Sequence, residues 1–152
     1  MKKNRSSGFS LLELIIVMAL IGILAAIVSN RYLNYVEEAR VAKATADIRV
    51  IESEIYVYKM KTGELPESLG SVKRSAFKDP WGHYYCYMKI GDDKDSKGKA
   101  RKDGFLVPIN SDFDLYSSGR DGRSVSSLRA KGSRDDIVRA FNGGYVGPAS
   151  KI

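Results

Sequence analysis

A single carboxylate, Glu13, interrupts a long apolar segment near the start of the chain. Residues 9–28 are otherwise apolar or glycine apart from Ser10, and residues 14–28 carry no polar side chain. A carboxylate inside a membrane segment costs roughly 2.5–3.5 kcal/mol on insertion scales, so such a residue is a functional position by default. Glu13 is therefore the first candidate functional residue, and its chemistry is charge pairing with a cationic partner.

Other residues with reactive or metal-binding side chains form incomplete patterns. Asp93, Asp95 and Gly98 match three places of an EF-hand loop, but the bidentate glutamate required at its last place is missing. The only histidine and the only cysteine, His83 and Cys86, have no second pair of ligands for a zinc site. The sequence also contains no nucleophile elbow, Walker loop or HExxH motif. These patterns favour neither an enzyme nor a zinc protein.

Length and composition exclude several classes of protein. The 152 residues, 28% of them charged, and a mean hydropathy of −0.26 predict one globular domain rather than a polytopic membrane protein or a disordered tail. Three of the 25 basic residues lie in residues 1–8, which leaves 22 against 18 acidic residues, a net charge of +4 on the remainder. This is an ordinary solubility charge, so nucleic acid is not an expected partner. One cysteine excludes an intramolecular disulfide.

The apolar segment at residues 9–30 predicts a transmembrane helix. A helix from Phe9 to Ser29 would be about 31 Å long, which matches the hydrocarbon thickness of a bilayer. The basic residues of the leader lie on its N-terminal side, so that end is expected in the cytoplasm and the remainder across the membrane. The alternative is an ordinary secretory signal peptide that is cleaved near Ala25-Ala26.

The predicted helix continues beyond the apolar segment, to about residue 61. No proline or glycine occurs between residues 31 and 61, and Thr62-Gly63 supplies a C-terminal stop. Apolar residues recur at spacings of three and four, which makes the second half amphipathic. The members of this apolar stripe are Val41, Ala44, Ile48, Ile51, Ile55 and Tyr58. The first half is apolar all round, so it requires lipid or neighbouring copies of the chain.

The second half of the sequence predicts a small antiparallel β-sheet of three or four strands. Residues 91–103 form a charged run that we expect to be an exposed turn, and residues 118–136 are poor in apolar side chains. The apolar face of the sheet needs a partner, and the helical stripe supplies one. The predicted class is therefore α+β, a long helix packed on a sheet. The segments predicted to form strands are 81–90, 105–107, 113–117 and 145–146.

The start of the chain resembles the type IV prepilin family. The matching residues are Gly8-Phe9-Ser10-Leu11-Leu12-Glu13, which follow a short basic leader and precede the apolar run. The resemblance implies a type IV pilin-like fold with a leader peptide (1–8), a transmembrane and polymerisation helix (9–30) and a periplasmic head (31–152). It also implies cleavage after Gly8 by a prepilin peptidase and N-methylation of Phe9. In the family the glutamate at the place of Glu13 pairs with the N-terminal amine of a neighbouring subunit during assembly.

Three segments of the second half are similar to the major (G-type) pseudopilins of type II secretion systems. They are DPWGHYY (79–85), DLYSSGRDG (114–122) and SRDDI (133–137). The resemblance implies that the chain binds one Ca²⁺ ion. The implied ligands are oxygen atoms, which are the donors that Ca²⁺ prefers. The alternative is a solvated loop whose acids pair with the nearby bases Arg123, Arg129, Lys131 and Arg134. The ligands carried over by position are Asp121, Ser133, Asp135 and Asp136, with the carbonyl of Ser118.

The two resemblances together imply a structural subunit of a secretion pseudopilus in the bacterial inner membrane. Its expected partners are other copies of the chain, prepilin peptidase, an inner-membrane assembly platform, minor pseudopilins, and membrane lipid before assembly. The main alternative is a type IV pilus subunit for adhesion, motility or DNA uptake. A membrane-anchored enzyme or binding protein is a third hypothesis, which no catalytic motif supports.

Overall fold

The structure is a computed structural model that describes residues 8–152, with only the backbone described at residues 27–30. The predicted leader therefore lies outside the described residues apart from Gly8. The chain divides into two compact units, one up to Glu38 and one from Ala39 to Ile152. Helix α1 spans Leu11–Thr62 and belongs to both units. This confirms the predicted helix, whose backbone is continuous through Asn30.

The first unit begins with a capped helix end. The Ser10 hydroxyl oxygen accepts a hydrogen bond from the backbone N–H of Glu13 at 3.2 Å, as a serine does in a capping box. The large apolar side chains from Leu11 to Leu24 are all exposed. An 18-residue window of α1 has a mean hydropathy of 3.0, so the helix is long and apolar enough to cross a membrane.

The second unit contains a four-stranded antiparallel sheet. Strand β1 is Cys86–Lys89, β2 is Phe113–Ser117, β3 is Ile137–Ala140 and β4 is Tyr145–Pro148. The strands lie in the order β1-β2-β3-β4, and each pairs with its neighbour in the sequence. Together with α1 this arrangement confirms the predicted α+β class and the type IV pilin-like fold.

The sheet has an apolar cluster on each face, because neighbouring residues of a strand point to opposite faces. Phe113 and Leu115 pack with the stripe of α1, where Ile48 and Ile51 are fully buried. Burial of each such side chain is worth roughly 1.5–3 kcal/mol, so this contact stabilises the packing of α1 on the sheet. The second cluster contains Ile109, Leu128, Val138, Ala140 and Ala149.

One predicted strand, residues 105–107, is wrong. These residues belong to a tight exposed turn, in which Asp103 and Leu106 exchange two backbone hydrogen bonds at 3.1 and 2.9 Å. Gly104 and Pro108 flank this apolar segment, and both residues disfavour the continuation of a strand. Strand β3, in contrast, was not among the predicted strands. The prediction for residues 81–90 is confirmed only over β1.

The charged run at residues 91–103 is also only partly as predicted. Residues Lys94–Lys99 form a short exposed helix, α2, whose N-terminus is capped by the carboxylate of Asp93. The run then turns inward, and both Ala100 and Arg101 are buried. The expectation of an exposed turn therefore fails at its C-terminal end, where a charged side chain enters the interior of the head.

Candidate functional site

The predicted processing site is accessible. Gly8, Phe9 and Ser10 lie just before α1, and all three are exposed. Glu13 lies in the first turn of α1 with an exposed side chain. A negative charge there interacts favourably with the partial positive charge of the helix N-terminus. The structure thus presents both the peptide bond after Gly8 and the Glu13 carboxylate to other molecules.

The 118–136 loop begins and ends in direct contact. The backbone N–H of Asp121 donates to Oδ2 of Asp135 at 2.9 Å, while Oδ1 of Asp121 accepts from the backbone N–H of Arg123 at 2.7 Å. Gly119 makes this approach possible, because it has a φ of +64° and a Cβ there would collide with the carbonyl oxygen of Asp135. Two predicted ligands, Asp121 and Asp135, are therefore brought together.

A turn before β1 supports the start of this loop. The carboxylate of Asp79 accepts from the backbone N–H groups of Trp81 and His83 at 3.0 and 2.9 Å, and from the hydroxyl of Ser117. The ring Nδ1 of His83 lies 3.0 Å from the carbonyl oxygen of Gly119. The DPWGHYY segment therefore has a positioning role, and His83 contacts the loop backbone.

Asp136, another predicted ligand, is fully buried and pairs with Arg101. Its Oδ2 accepts from Nη1 of Arg101 at 2.9 Å and from the hydroxyl of Ser124. Burial raises the pKa of the Asp136 carboxyl, although Ser124 and Arg101 act in the opposite direction. The basic partner of Asp136 is thus a residue outside the loop.

The remaining predicted ligands, Ser118 and Ser133, are buried. The Ser133 hydroxyl accepts from the backbone N–H of Val125 and donates to its carbonyl oxygen, both at 2.9 Å. The backbone N–H of Asp136 donates to the carbonyl oxygen of Ser133 at 3.3 Å. Ser133 therefore lies beside Asp136 and joins the middle of the loop to its end.

The predicted ligands offer carboxylate, hydroxyl and carbonyl oxygens, which are the types of donor atom that Ca²⁺ takes. Oδ1 of Asp136 is buried and has no hydrogen-bond partner among the described residues, so this oxygen is free to accept a further donor or a cation. Between residues 8 and 152, no three His, Cys, Asp or Glu side chains converge closely enough to hold a metal by themselves. Carbonyl, hydroxyl and water oxygens would have to complete the coordination, as they commonly do for Ca²⁺.

Two buried arginines that were not among the predicted site residues organise the head. Arg101 faces Asp136, and Arg139 of β3 lies between α1 and the sheet. Nε of Arg139 donates to Glu52 of α1 at 2.6 Å, and Nη2 donates to Asp112 at 2.8 Å. A sequence pattern that treats every arginine as an exposed residue cannot identify these two side chains.

Comparisons with known proteins agree with this architecture. A family model described as the prokaryotic N-terminal methylation motif matches residues 3–29. The type II secretion system core protein G of Xanthomonas campestris is 31% identical over 136 residues, which cover 80% of this chain and 83% of that protein. The protein of the same name from Vibrio cholerae is 35% identical over 112 residues, which cover 60% of this chain and 76% of that protein. The one from Pseudomonas aeruginosa is 28% identical over 148 residues, which cover 84% of this chain and 92% of that protein. No solved structure matches the chain.

The methylation motif, the apolar start of α1 and the sheet packed on its second half define a membrane-anchored, type IV pilin-like subunit. Within that class, the similarity to the G proteins extends over most of the chain and includes the head. The chain belongs to the family of type II secretion system core protein G, the major pseudopilins.

Proposed function

We propose that this pseudopilin is a structural subunit, not an enzyme, that polymerises into a filament of a type II secretion system and thereby drives protein export. It would enter the inner membrane once, with its N-terminus in the cytoplasm and its head in the periplasm. The observation that carries the proposal is the exposed apolar half of α1, with Glu13 in its first turn directly after an accessible Gly8-Phe9 bond.

The physical chemistry of α1 supports self-assembly after processing. Cleavage after Gly8 would create a cationic amine on Phe9, since α-amino groups have pKa values near 8, and N-methylation retains that charge. The exposed apolar side chains would pass from lipid into contact with other helices, which is a transfer between two apolar environments. Helix packing and the pairing of Glu13 with a neighbour's Phe9 amine would therefore provide the driving force.

The same proposal defines the partners. Prepilin peptidase would process the N-terminus, and an inner-membrane assembly platform with minor pseudopilins would initiate the filament. Lipid would cover the first half of α1 before assembly. The names of the relatives favour secretion over the alternative, a type IV pilus subunit.

The processing step makes the first prediction. When the full chain is expressed together with a prepilin peptidase, mass spectrometry of the purified protein should show loss of residues 1–8 and the addition of one methyl group to Phe9. Replacement of Gly8 by valine should block the cut, because a branched side chain would stand at the scissile bond. Cleavage near Ala25-Ala26 instead would indicate a secretory signal peptide and contradict the proposal.

We also propose that one Ca²⁺ ion stabilises the 118–136 loop. Asp121, Asp135, the free Oδ1 of Asp136 and the Ser118 carbonyl would supply ligands, with Ser133 beside them. The three carboxylates do not converge by themselves, so the ion would have to draw them together. When bound, the ion would offset the charges of these carboxylates and link the two ends of a loop that has few apolar side chains. The buried, unpartnered Oδ1 of Asp136 supports this proposal.

Calcium removal should lower the thermal stability of the full chain in detergent micelles. A ligand that binds only the folded state at 100 times its Kd stabilises it by about 2.7 kcal/mol, so the melting temperature should fall by several degrees in EDTA. Asp121→Ala should abolish the difference between calcium and EDTA. Asp95→Ala, on the exposed helix α2, is the matched control and should retain it. Equal melting temperatures of the unaltered protein in the two buffers would remove calcium from the proposed function.

A further inference from the structure

Arg101 connects two distant parts of the 118–136 loop, although it lies outside that loop. Its Nη1 donates to the carbonyl oxygen of Val125 at 2.8 Å and to Oδ2 of Asp136 at 2.9 Å. Its Nη2 donates to the hydroxyl of Ser124. The guanidinium group therefore bonds both to the middle of the loop and to its last residue, through three different partners.

The position of this guanidinium is fixed by the sheet. Its central carbon lies 3.6 Å from the ring centre of Tyr116 on β2, a stacked cation–π contact. The backbone N–H of Arg101 donates to Oδ2 of the buried Asp114, also on β2, at 2.6 Å. Only 4% of the surface of Arg101 is exposed. A rigid cation at this place would restrict the loop whether or not a metal is bound.

These contacts engage only one of the two carboxylate oxygens of Asp136. Arg101 and Ser124 both bond to Oδ2, whereas Oδ1 is buried and has no partner among the residues that the structure describes. Because the carboxylate is held from one side, its second oxygen is kept in a defined direction. This is the arrangement expected of a positioning residue behind a metal ligand.

We propose that Arg101 is the positioning residue of the calcium site, a permanent cation that closes the 118–136 loop before the metal binds and directs Oδ1 of Asp136 toward it. The proposal rests on the calcium site proposed above. It predicts that calcium adds to a loop already closed, whereas without Arg101 the loop would close only when calcium is present. Arg101 would thus make the fold of the loop partly independent of the metal.

Hydrogen exchange measured by mass spectrometry on the full chain in detergent micelles tests this directly. In EDTA, the loop amides of the unaltered protein, including those of Val125 and Asp136, should exchange slowly. In Arg101→Gln they should exchange about tenfold faster or more, because three hydrogen bonds to a charged group are lost. Calcium should restore slow exchange in the variant. The exchange of amides in the β1–β2 pair should stay unchanged. A general loss of stability would instead speed up the exchange of these amides as well.

Two further variants keep the experiment decisive. Arg129→Gln removes an exposed ion pair with Asp103 by the same substitution, and its exchange should equal that of the unaltered protein. If Arg101→Gln leaves Asp136 unpaired and prevents folding, the double variant Arg101→Gln/Asp136→Asn removes that buried charge. Its loop should still exchange rapidly in EDTA, because the contacts to Ser124 and Val125 are also lost.

The outcomes separate this proposal from the calcium proposal. Slow exchange of Arg101→Gln in EDTA, or rapid exchange of the unaltered protein in EDTA, would overturn the role of Arg101. If instead the variant exchanges rapidly in EDTA and calcium changes neither protein, Arg101 closes the loop but the calcium site is absent. That result would overturn both the calcium site and the role of Arg101 in positioning a metal ligand.

Discussion

Replacement of Arg139 by alanine is expected to lower the free energy of unfolding of the head by about 3–5 kcal/mol, the usual effect of breaking a buried ion pair from one side. Arg139 is 1% exposed, and its guanidinium joins Glu52 of α1, at 2.6 Å, to Asp112 before β2, at 2.8 Å. It also donates to the carbonyl oxygen of Phe113 at 2.9 Å. Alanine would leave both carboxylates without their principal partner and open a cavity between helix and sheet.

Since small proteins are stable by only about 5–15 kcal/mol, this loss would be a large share of the total. Denaturant unfolding followed by Trp81 fluorescence would measure it. Arg129→Ala is the control, because Arg129 pairs with Asp103 at the surface and such pairs contribute about 0–1 kcal/mol. Equal stabilities of the two variants would show that the Arg139 network does not hold α1 on the sheet.

The same network predicts a pH dependence. Burial would raise the pKa of the Asp112 carboxyl, but hydrogen bonds from Arg139 and from the Phe113 backbone outweigh that effect and lower its pKa below 3.8. A lowered pKa contributes stability that is present above the unfolded-state pKa and is lost as the pH falls through the folded-state value. The unaltered protein should therefore lose stability below about pH 4, and Arg139→Ala should lack this part of the acid transition.

Replacement of Glu13 by alanine is expected to leave membrane insertion and cleavage intact while filament yield falls by an order of magnitude or more. Insertion should become easier, because a carboxylate in the membrane costs roughly 2.5–3.5 kcal/mol. Assembly should suffer, because the variant cannot neutralise the Phe9 amine of its neighbour, and a loss of about 1.4 kcal/mol per contact already reduces association tenfold.

The experiment compares the fractions of membrane-inserted, cleaved and filamentous protein in cells that express each variant. Glu38→Ala is the matched control, since it removes the same side chain from an exposed position of the same helix, outside the apolar segment. Its filament yield should equal that of the unaltered protein. A normal yield from Glu13→Ala would show that charge pairing at this position does not drive assembly.

The elements that the sequence predicted correctly are those in which hydrophobic spacing and burial coincide. Helix α1 is an example, since Ile48, Ile51 and Ile55 recur at helical spacing and are all fully buried. Strand β3 was not predicted because it contains the charged residue Arg139. Arg139 can be buried there only because it forms ion pairs with Glu52 and Asp112.

The same limitation applies to the candidate site. The positions of Asp121 and Asp135 could be carried over from a family resemblance, and the structure brings them together. Arg101 could not be identified in this way, because it lies within a run of charged residues, 91–103, that is typical of a solvated turn. Its burial depends on Asp136 and Tyr116, which are distant in the sequence and become neighbours only through the sheet.

The central claim, that this chain is a secretion pseudopilin, is tested most directly in a strain that lacks its gene. The proteins of the culture medium and the fibres on the cell surface would be compared with those of the parent strain. We expect a set of exported proteins to disappear while surface fibres remain, and the unaltered gene, but not Glu13→Ala, to restore export. Loss of surface fibres with export intact would contradict the claim and assign the chain to a type IV pilus.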